Sequence, residues 1–183
     1  MVLLKEIGNK ILYLAHRPKE VIPGELYRSG QLPPEEFIYF CGETGINSVI
    51  NLRGENPGKR WFEREREACD NLLQIDLYNL GFSSRLDVKN EEDRKRLREF
   101  LSISDNCSKP VLFHCEGGIH RTGLACALYL LRKGYPMEEA EKQVSVKYGY
   151  LRRERPNLPE FLDITTEREL DADMILNASI SQF

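Results

Sequence analysis

The most constraining feature of this sequence is a short apolar segment, residues 111–113 (Val-Leu-Phe), followed by a strongly apolar helical segment at residues 124–131. An uninterrupted apolar run of this kind is typical of a strand buried in the centre of a sheet. Elsewhere the chain alternates short apolar runs with amphipathic segments, which indicates a sheet flanked by helices. We therefore predict an α/β fold with a central, mostly parallel sheet and helices on both faces.

The remaining elements are predicted from periodicity, turn residues and capping residues. Further strands are predicted at residues 25–28 (an edge strand), 46–52 and 73–80. Helices are predicted at residues 33–43, 59–72, 91–102, 122–134 and 136–148, and another near Pro159. Apolar residues at helical spacing in residues 2–13 favour an amphipathic helix packed on the domain, with membrane docking as the alternative.

The length and composition of the chain limit its organisation and partners. We expect the 183 residues to form a single domain over residues 1–183, because two domains of ordinary size need a longer chain. A net charge of −3 argues against nucleic acid as a bulk partner. We expect no membrane span and no secretory signal. The five cysteines form neither a metal-binding nor a disulfide pattern, which favours a reducing, cytoplasmic location.

Residues 114–122 (His-Cys-Glu-Gly-Gly-Ile-His-Arg-Thr) connect the buried strand to the apolar helix. The backbone N–H groups of such a turn and the positive end of the following helix point at one spot, which favours an anion there. The same field favours the nucleophilic thiolate form of Cys115. Arg121 can bind two phosphate oxygens at once, and Thr122 can donate its hydroxyl to the sulfur. The predicted phosphate cradle consists of Glu116, Gly117, Gly118, Ile119, His120 and Arg121.

The same spacing of cysteine and arginine occurs a second time, at Cys126 and Arg132. This second pair lies inside the apolar helical segment, with no glycine and no strand before it. We therefore predict that Cys126 is a buried core thiol and that the surroundings of Cys115, rather than the spacing, mark the site.

Residues 114–122 resemble the phosphate-binding loop of the protein tyrosine and dual-specificity phosphatase superfamily. Residues 26–31 (Leu-Tyr-Arg-Ser-Gly-Gln) and 49–53 (Val-Ile-Asn-Leu-Arg) resemble segments of its compact dual-specificity branch, and the resemblance spans about residues 21–164. It implies the fold of the cysteine-dependent phosphatases and a two-step reaction through a cysteinyl-phosphate, with no metal or other cofactor. The implied substrate is a phosphorylated protein or a small phosphorylated metabolite, with phosphotyrosine first and phosphoserine or phosphothreonine next.

Two residues of the loop leave an alternative substrate open. His120 before the arginine resembles atypical dual-specificity phosphatases, some of which act on inositol pyrophosphates. Glu116 departs from their usual basic residue, and an acid at this position makes a densely charged polyphosphate less attractive. An inositol phosphate or pyrophosphate phosphatase is thus the alternative.

The resemblance also implies a general acid on a separate loop, which protonates the leaving group. Asp87 is the candidate because it is the only acid in the predicted loop at residues 81–90, whereas Asp76 falls within a predicted strand and Asn79 lies where related enzymes often carry their aspartate. An enzyme without such an acid would favour leaving groups that need little protonation, such as the phosphate of an anhydride.

Other interpretations of the same residues belong to different classes of protein. A catalytically silent phosphate-binding module and a rhodanese-like sulfur carrier would both place a cysteine in an anion-binding loop. We expect His114 to orient the loop through hydrogen bonds. Arg53, Lys59 and Arg60 are interpreted as a solvated face rather than a pocket rim, and Trp61 as an anchor of its helix. The sequence does not predict an oligomeric state.

Overall fold

The computed structural model describes residues 16–81, 83 and 90–149. The helices predicted at residues 2–13 and near Pro159 lie outside these ranges, and so does the general-acid candidate Asp87. Within these ranges, the helices are all too short or too polar to cross a bilayer.

Five strands form one sheet in the order β1-β2-β5-β3-β4, with all neighbours parallel except β1 and β2. Their bounds are Lys19–Ile22 (β1), Leu26–Ser29 (β2), Ser48–Asn51 (β3), Asp76–Asn79 (β4) and Val111–His114 (β5). The predicted central strand is confirmed, since β5 is the third of the five. The edge prediction for residues 25–28 is wrong because β1, unpredicted, pairs with β2 on its outer side. Short charged strands such as β1, Lys-Glu-Val-Ile, are common at sheet edges.

The helices of the described residues fall close to their predicted positions. Their bounds are Pro34–Thr44 (α1), Arg60–Glu67 (α2), Glu91–Asn106 (α3), His120–Arg132 (α4) and Met137–Gln143 (α5), with a π-helical segment at Ala68–Leu73 and a 3-10 turn at Val146–Tyr148. The helix predicted at residues 136–148 is interrupted after Gln143. There the Ser145 hydroxyl donates to the Lys142 carbonyl, which would accept the Val146 N–H if the helix continued.

Helices cover both faces of the sheet, as predicted. Successive residues of β5 point to opposite faces, so Val111 and Phe113 pack in one core cluster and Leu112 in the other. Residues of α3 and α4 complete the first cluster, and residues of α1 and the π-helical segment complete the second. With both faces covered, the ends of the parallel strands are the positions left open for a site.

Candidate active site

Four strands of the sheet end at the same level. The register aligns Ser29 of β2 and Asn51 of β3 with His114 of β5, and Asn51 with Asn79 of β4. The Leu52 N–H donates to the His114 carbonyl at 2.9 Å, and the Gln31 N–H donates to the Glu116 carbonyl at 3.0 Å. The residues that follow β2, β3 and β5 are therefore held together at the carboxyl edge of the sheet.

Cys115 immediately follows β5 and is buried, with 3% of its surface exposed. The chain then turns through Gly118, whose φ of 66° is in the left-handed region that favours glycine, and α4 begins at His120. This is the strand, tight turn and helix predicted from the sequence. The N–H groups of the first turn of α4 have no earlier helical carbonyl to bond, so they are available to an anion.

Arg121 reaches across the loop to the neighbouring strand. Its Nη1 donates to the Leu52 carbonyl at 3.1 Å. Leu52 is bonded through its own N–H to the residue before Cys115, so this contact holds the guanidinium at the same edge as the thiol. The structure thus places Arg121 at the edge of the sheet where Cys115 follows β5.

A buried arginine that the sequence reasoning did not single out supports the loop from behind. Arg28 of β2 is 1% exposed, and its Nη2 donates to the Gly118 carbonyl at 2.8 Å. Its Nη1 donates to the backbone and side-chain oxygens of Gln143, both at 2.9 Å, and its guanidinium stacks 3.9 Å from the ring centre of Tyr148. Arg28 therefore fixes the Gly118 peptide, and with it the direction in which the loop presents its N–H groups.

Gly123 makes this arrangement possible on the helix side. A Cβ at this position would lie 2.7 Å from the Gln143 carbonyl oxygen and 3.5 Å from Arg28 Nη2. Any side chain here would push α5 away from α4 and break the contacts of Arg28. The glycine after Thr122 is therefore required for close packing of the two helices.

His114 contacts a buried carboxylate. Its Nε2 lies 3.2 Å from Glu65 Oε1, and the two side chains are 2% and 3% exposed. The other Glu65 oxygen accepts a hydrogen bond from the Gln31 amide. Burial acts to raise the pKa of Glu65, but the charge of His114 and its contacts with His114 and Gln31 outweigh burial, so this pKa is lowered. Glu65 therefore stays ionised and lies against His114. Among the described residues neither ring nitrogen of His114 has a hydrogen-bond partner, so its orienting of the loop through hydrogen bonds stays a prediction.

Arg53 differs from its interpretation as a solvated residue. Its side chain is 16% exposed, its guanidinium lies 3.5 Å from the ring centre of Trp61, and its Nη1 donates to Gln31 Oε1 at 3.1 Å. Its Nη2 lies 3.7 Å from Glu116 Oε1. Position explains the difference, because Arg53 lies two residues beyond the end of β3, the strand beside β5. Lys59 and Arg60 are exposed, as expected of a solvated face.

Burial lowers the pKa of Arg53, and the positive charge of Arg121 adds to this effect. The negative charge of Glu116 acts in the opposite direction. Arg53 is therefore close enough to the phosphate loop to interact with its charges.

The remaining predicted residues have mixed outcomes. Thr122 is fully buried, and within the described residues its hydroxyl has no hydrogen-bond partner, so its expected contact with the Cys115 sulfur is not formed here. Asp76 lies at the amino end of β4, away from the site, which excludes it as the general acid. Asn79 lies at the correct edge, where its side-chain oxygen accepts a hydrogen bond from Asn51 at 2.9 Å.

Nothing in the described part of the chain groups histidines, cysteines and acids into a set able to hold a metal ion. All five cysteines fall within that part, and each is buried and free of disulfides.

Comparison with known proteins matches residues 19–175 to the family model described as "Swiss Army Knife protein, DSP-PTPase phosphatase domain" (PTP-SAK). The inositol diphosphatase DSP3 of Arabidopsis thaliana is 28% identical over 151 residues, which cover 79% of this chain and 69% of that protein. The inositol diphosphatase SIW14 of Saccharomyces cerevisiae is 29% identical over 137 residues, which cover 70% of this chain and 46% of that protein.

The fold is also found among solved structures. The core catalytic domain of the PP-IP phosphatase SIW14 from S. cerevisiae, in complex with citrate, superimposes with a TM-score of 0.65 at 21% identity. The match covers 88% of this chain and 92% of that one. At this identity the likeness concerns the fold alone.

Proposed function

Because the chain belongs to the DSP-PTPase phosphatase domain family, in the atypical dual-specificity branch of the cysteine-dependent phosphatases, we propose that it hydrolyses phosphomonoesters through Cys115, with phosphotyrosine as the first substrate class. The observation that carries this proposal is the common edge at which Cys115 follows the central strand and Arg121 is bonded to the Leu52 carbonyl. A nucleophile and a fixed bidentate donor then act on the same phosphate.

In the first step the Cys115 thiolate attacks the phosphorus atom. A P–S bond forms, the P–O bond to the leaving group breaks, and that oxygen takes its proton from the general acid. Arg121 and the N–H groups of residues 116–121 bind the phosphate oxygens, and their contacts are of most use as charge spreads over those oxygens in the transition state.

In the second step a water molecule attacks the phosphocysteine. The carboxylate left by the general acid in the first step takes a proton from this water, the P–S bond breaks, inorganic phosphate leaves and the thiolate is restored. A hydroxyl that donates to the departing sulfur stabilises its negative charge, which is the role we propose for Thr122. Its buried hydroxyl lies in the first turn of α4 and is not engaged by other described residues.

The alternative substrate is an inositol phosphate or pyrophosphate. Two relatives, DSP3 and SIW14, are named inositol diphosphatases, and this supports the alternative. A phosphoanhydride has a phosphate as its leaving group, which needs little protonation, so this reaction depends less on a general acid than phosphotyrosine hydrolysis does.

Both substrate hypotheses are tested by hydrolysis of a phosphotyrosine peptide and of an inositol pyrophosphate, with chelator and reductant present. We expect Asp87→Asn to lower kcat on the peptide about 10²- to 10⁴-fold and to remove the fall in rate at alkaline pH, because the acid must be protonated to act. Asp70→Asn is the matched control, because Asp70 is exposed and lies in the π-helical segment that precedes the amino end of β4. An Asp87→Asn variant that hydrolyses only the anhydride, and at the wild-type rate, would favour the alternative. A wild type inactive on every phosphate compound would leave a binding module.

We also propose that the protein works in a reducing compartment, the cytoplasm. A phosphocysteine mechanism needs a reduced thiol, and the remaining cysteines are buried and unpaired. Fractionation of cells that produce a tagged form of the chain tests this location. Recovery of the protein in an oxidising compartment would contradict it.

A further inference from the structure

Arg53 is held in one orientation at the mouth of the phosphate loop. The Trp61 ring stacks on its guanidinium, and Gln31 Oε1 accepts a hydrogen bond from Nη1. Gln31 is itself fixed by its amide, which donates to Glu65, and by its N–H, which donates to the Glu116 carbonyl. An arginine ordered in this way needs little reorganisation to bind a ligand.

The free edge of this guanidinium faces Glu116. The distance from Nη2 to Glu116 Oε1 is 3.7 Å, too long for a hydrogen bond, and the glutamate side chain is 71% exposed. An exposed ion pair of this kind contributes little stability and is easily exchanged. The carboxylate therefore occupies a position from which another anion can displace it.

Glu116 also directly follows Cys115, so the position it occupies adjoins the bound phosphate. We propose that Arg53 forms a second anion site beside the phosphate loop and that the Glu116 carboxylate competes with a ligand for this site. Glu116 then disfavours substrates that carry a second anionic group next to the phosphate that is removed. This inference rests on the proposed function, because it assumes that the loop binds the first phosphate.

The chemistry recognised is one additional phosphate or carboxylate close to the first phosphate. A substrate with a single phosphate leaves the pair of Arg53 and Glu116 intact. A substrate with two adjacent anionic groups must displace the Glu116 carboxylate and overcome its repulsion before it reaches Arg53. Removal of the Glu116 charge should therefore help the second kind of substrate selectively.

Two non-hydrolysable probes that differ by one phosphonate test this without turnover: methylphosphonate and methylenebisphosphonate, titrated calorimetrically with chelator present. We expect Glu116→Gln to raise the affinity for the bisphosphonate about fivefold to tenfold and the affinity for the monophosphonate less than twofold. Arg53→Met in the same chain should remove the gain, since methionine keeps an apolar contact with Trp61 but has no charge. Arg60→Met, an exposed arginine seven residues away, should change neither affinity.

Thermal unfolding of each variant separates loss of the site from loss of the fold. Arg53→Lys, a second substitution that keeps the positive charge, serves the same purpose. A gain that persists in the double variant, or an equal gain for both probes, would overturn the role of the pair while leaving the phosphate loop intact. A wild type that binds neither probe would instead overturn the proposed function itself.

Discussion

The chain contains two cysteines with an arginine six positions later, and their surroundings differ completely. Cys115 lies between a strand and a helix, and the turn between them brings Arg121 back to the same edge of the sheet. Cys126 and Arg132 lie within one helix, α4. Six residues of α-helix separate two positions by about 9 Å along the axis and roughly 120° around it, so these side chains diverge.

The contacts of the second pair follow from this geometry. Cys126 is fully buried, and burial raises its pKa to about 11, so it is neither exposed nor ionised at neutral pH. Arg132 points away and its Nε pairs with Asp105 at 3.0 Å. The spacing alone thus carries no chemistry, and the turn with its helix start is what converts it into a phosphate site.

Replacement of the two cysteines gives the largest expected contrast. Cys115→Ser should lower kcat about 10⁴-fold or more, because a hydroxyl does not replace the thiolate nucleophile. Cys126→Ser should leave kcat within about twofold and lower the free energy of unfolding by about 1–2 kcal/mol, because it buries a hydroxyl among apolar side chains. Hydrolysis of para-nitrophenyl phosphate and urea unfolding measure the two effects. Similar kcat losses for both variants would contradict the assignment of Cys115.

Replacement of the two arginines gives the next contrast. Arg121→Met should lower kcat/KM about 10³-fold, since it removes donors that bind the transferring phosphate. Arg132→Met should leave kcat/KM unchanged and cost about 1 kcal/mol of stability or less, because its ion pair is partly exposed. If Arg121→Met keeps substantial activity, Arg53 or another cation would have to bind the phosphate.

Alkaline pH should reveal the burial of Cys126 as the smallest of the three effects. The unfolded thiol ionises near its ordinary pKa of 9.0, whereas the folded one stays protonated up to about 11. Ionisation therefore stabilises the unfolded chain first, and the unfolding free energy should fall between these values by up to about 1.4 kcal/mol per pH unit. Urea unfolding at pH 8 to 10.5 should show a shallower fall for Cys126→Ala than for the wild type. Equal slopes would mean that the thiol is not buried in solution.

The features that the sequence predicted are those with local signals. A few neighbouring residues are enough to recognise each of three features: the apolar run at residues 111–113, the paired glycines before Arg121 and the apolar helix that follows. Helix α1 is likewise marked by Pro34 at its first turn and Gly45 at its end, with a φ of 65°. For these elements the interactions that decide the structure are short in sequence range.

The features that the sequence did not predict depend on contacts between distant elements. The role of Arg28 requires Gly118 and Gln143, and that of Glu65 requires His114, so neither is visible before the register of the sheet is known. From the sequence, Arg53 has the same expected place on a solvated face as Lys59 and Arg60. Its burial depends on Trp61 folding back over the strand end, which no local pattern encodes.

The contacts of Arg28 also limit how portable the phosphate loop is. The arginine is 90 residues from the Gly118 carbonyl that it fixes and 115 residues from the Gln143 oxygens that fix it in turn. A graft of residues 111–132 onto another scaffold would carry the nucleophile, the glycines and Arg121, but not the cation that orients the Gly118 peptide. The smallest transferable form of this site therefore includes β2 and α5, and so most of the described chain.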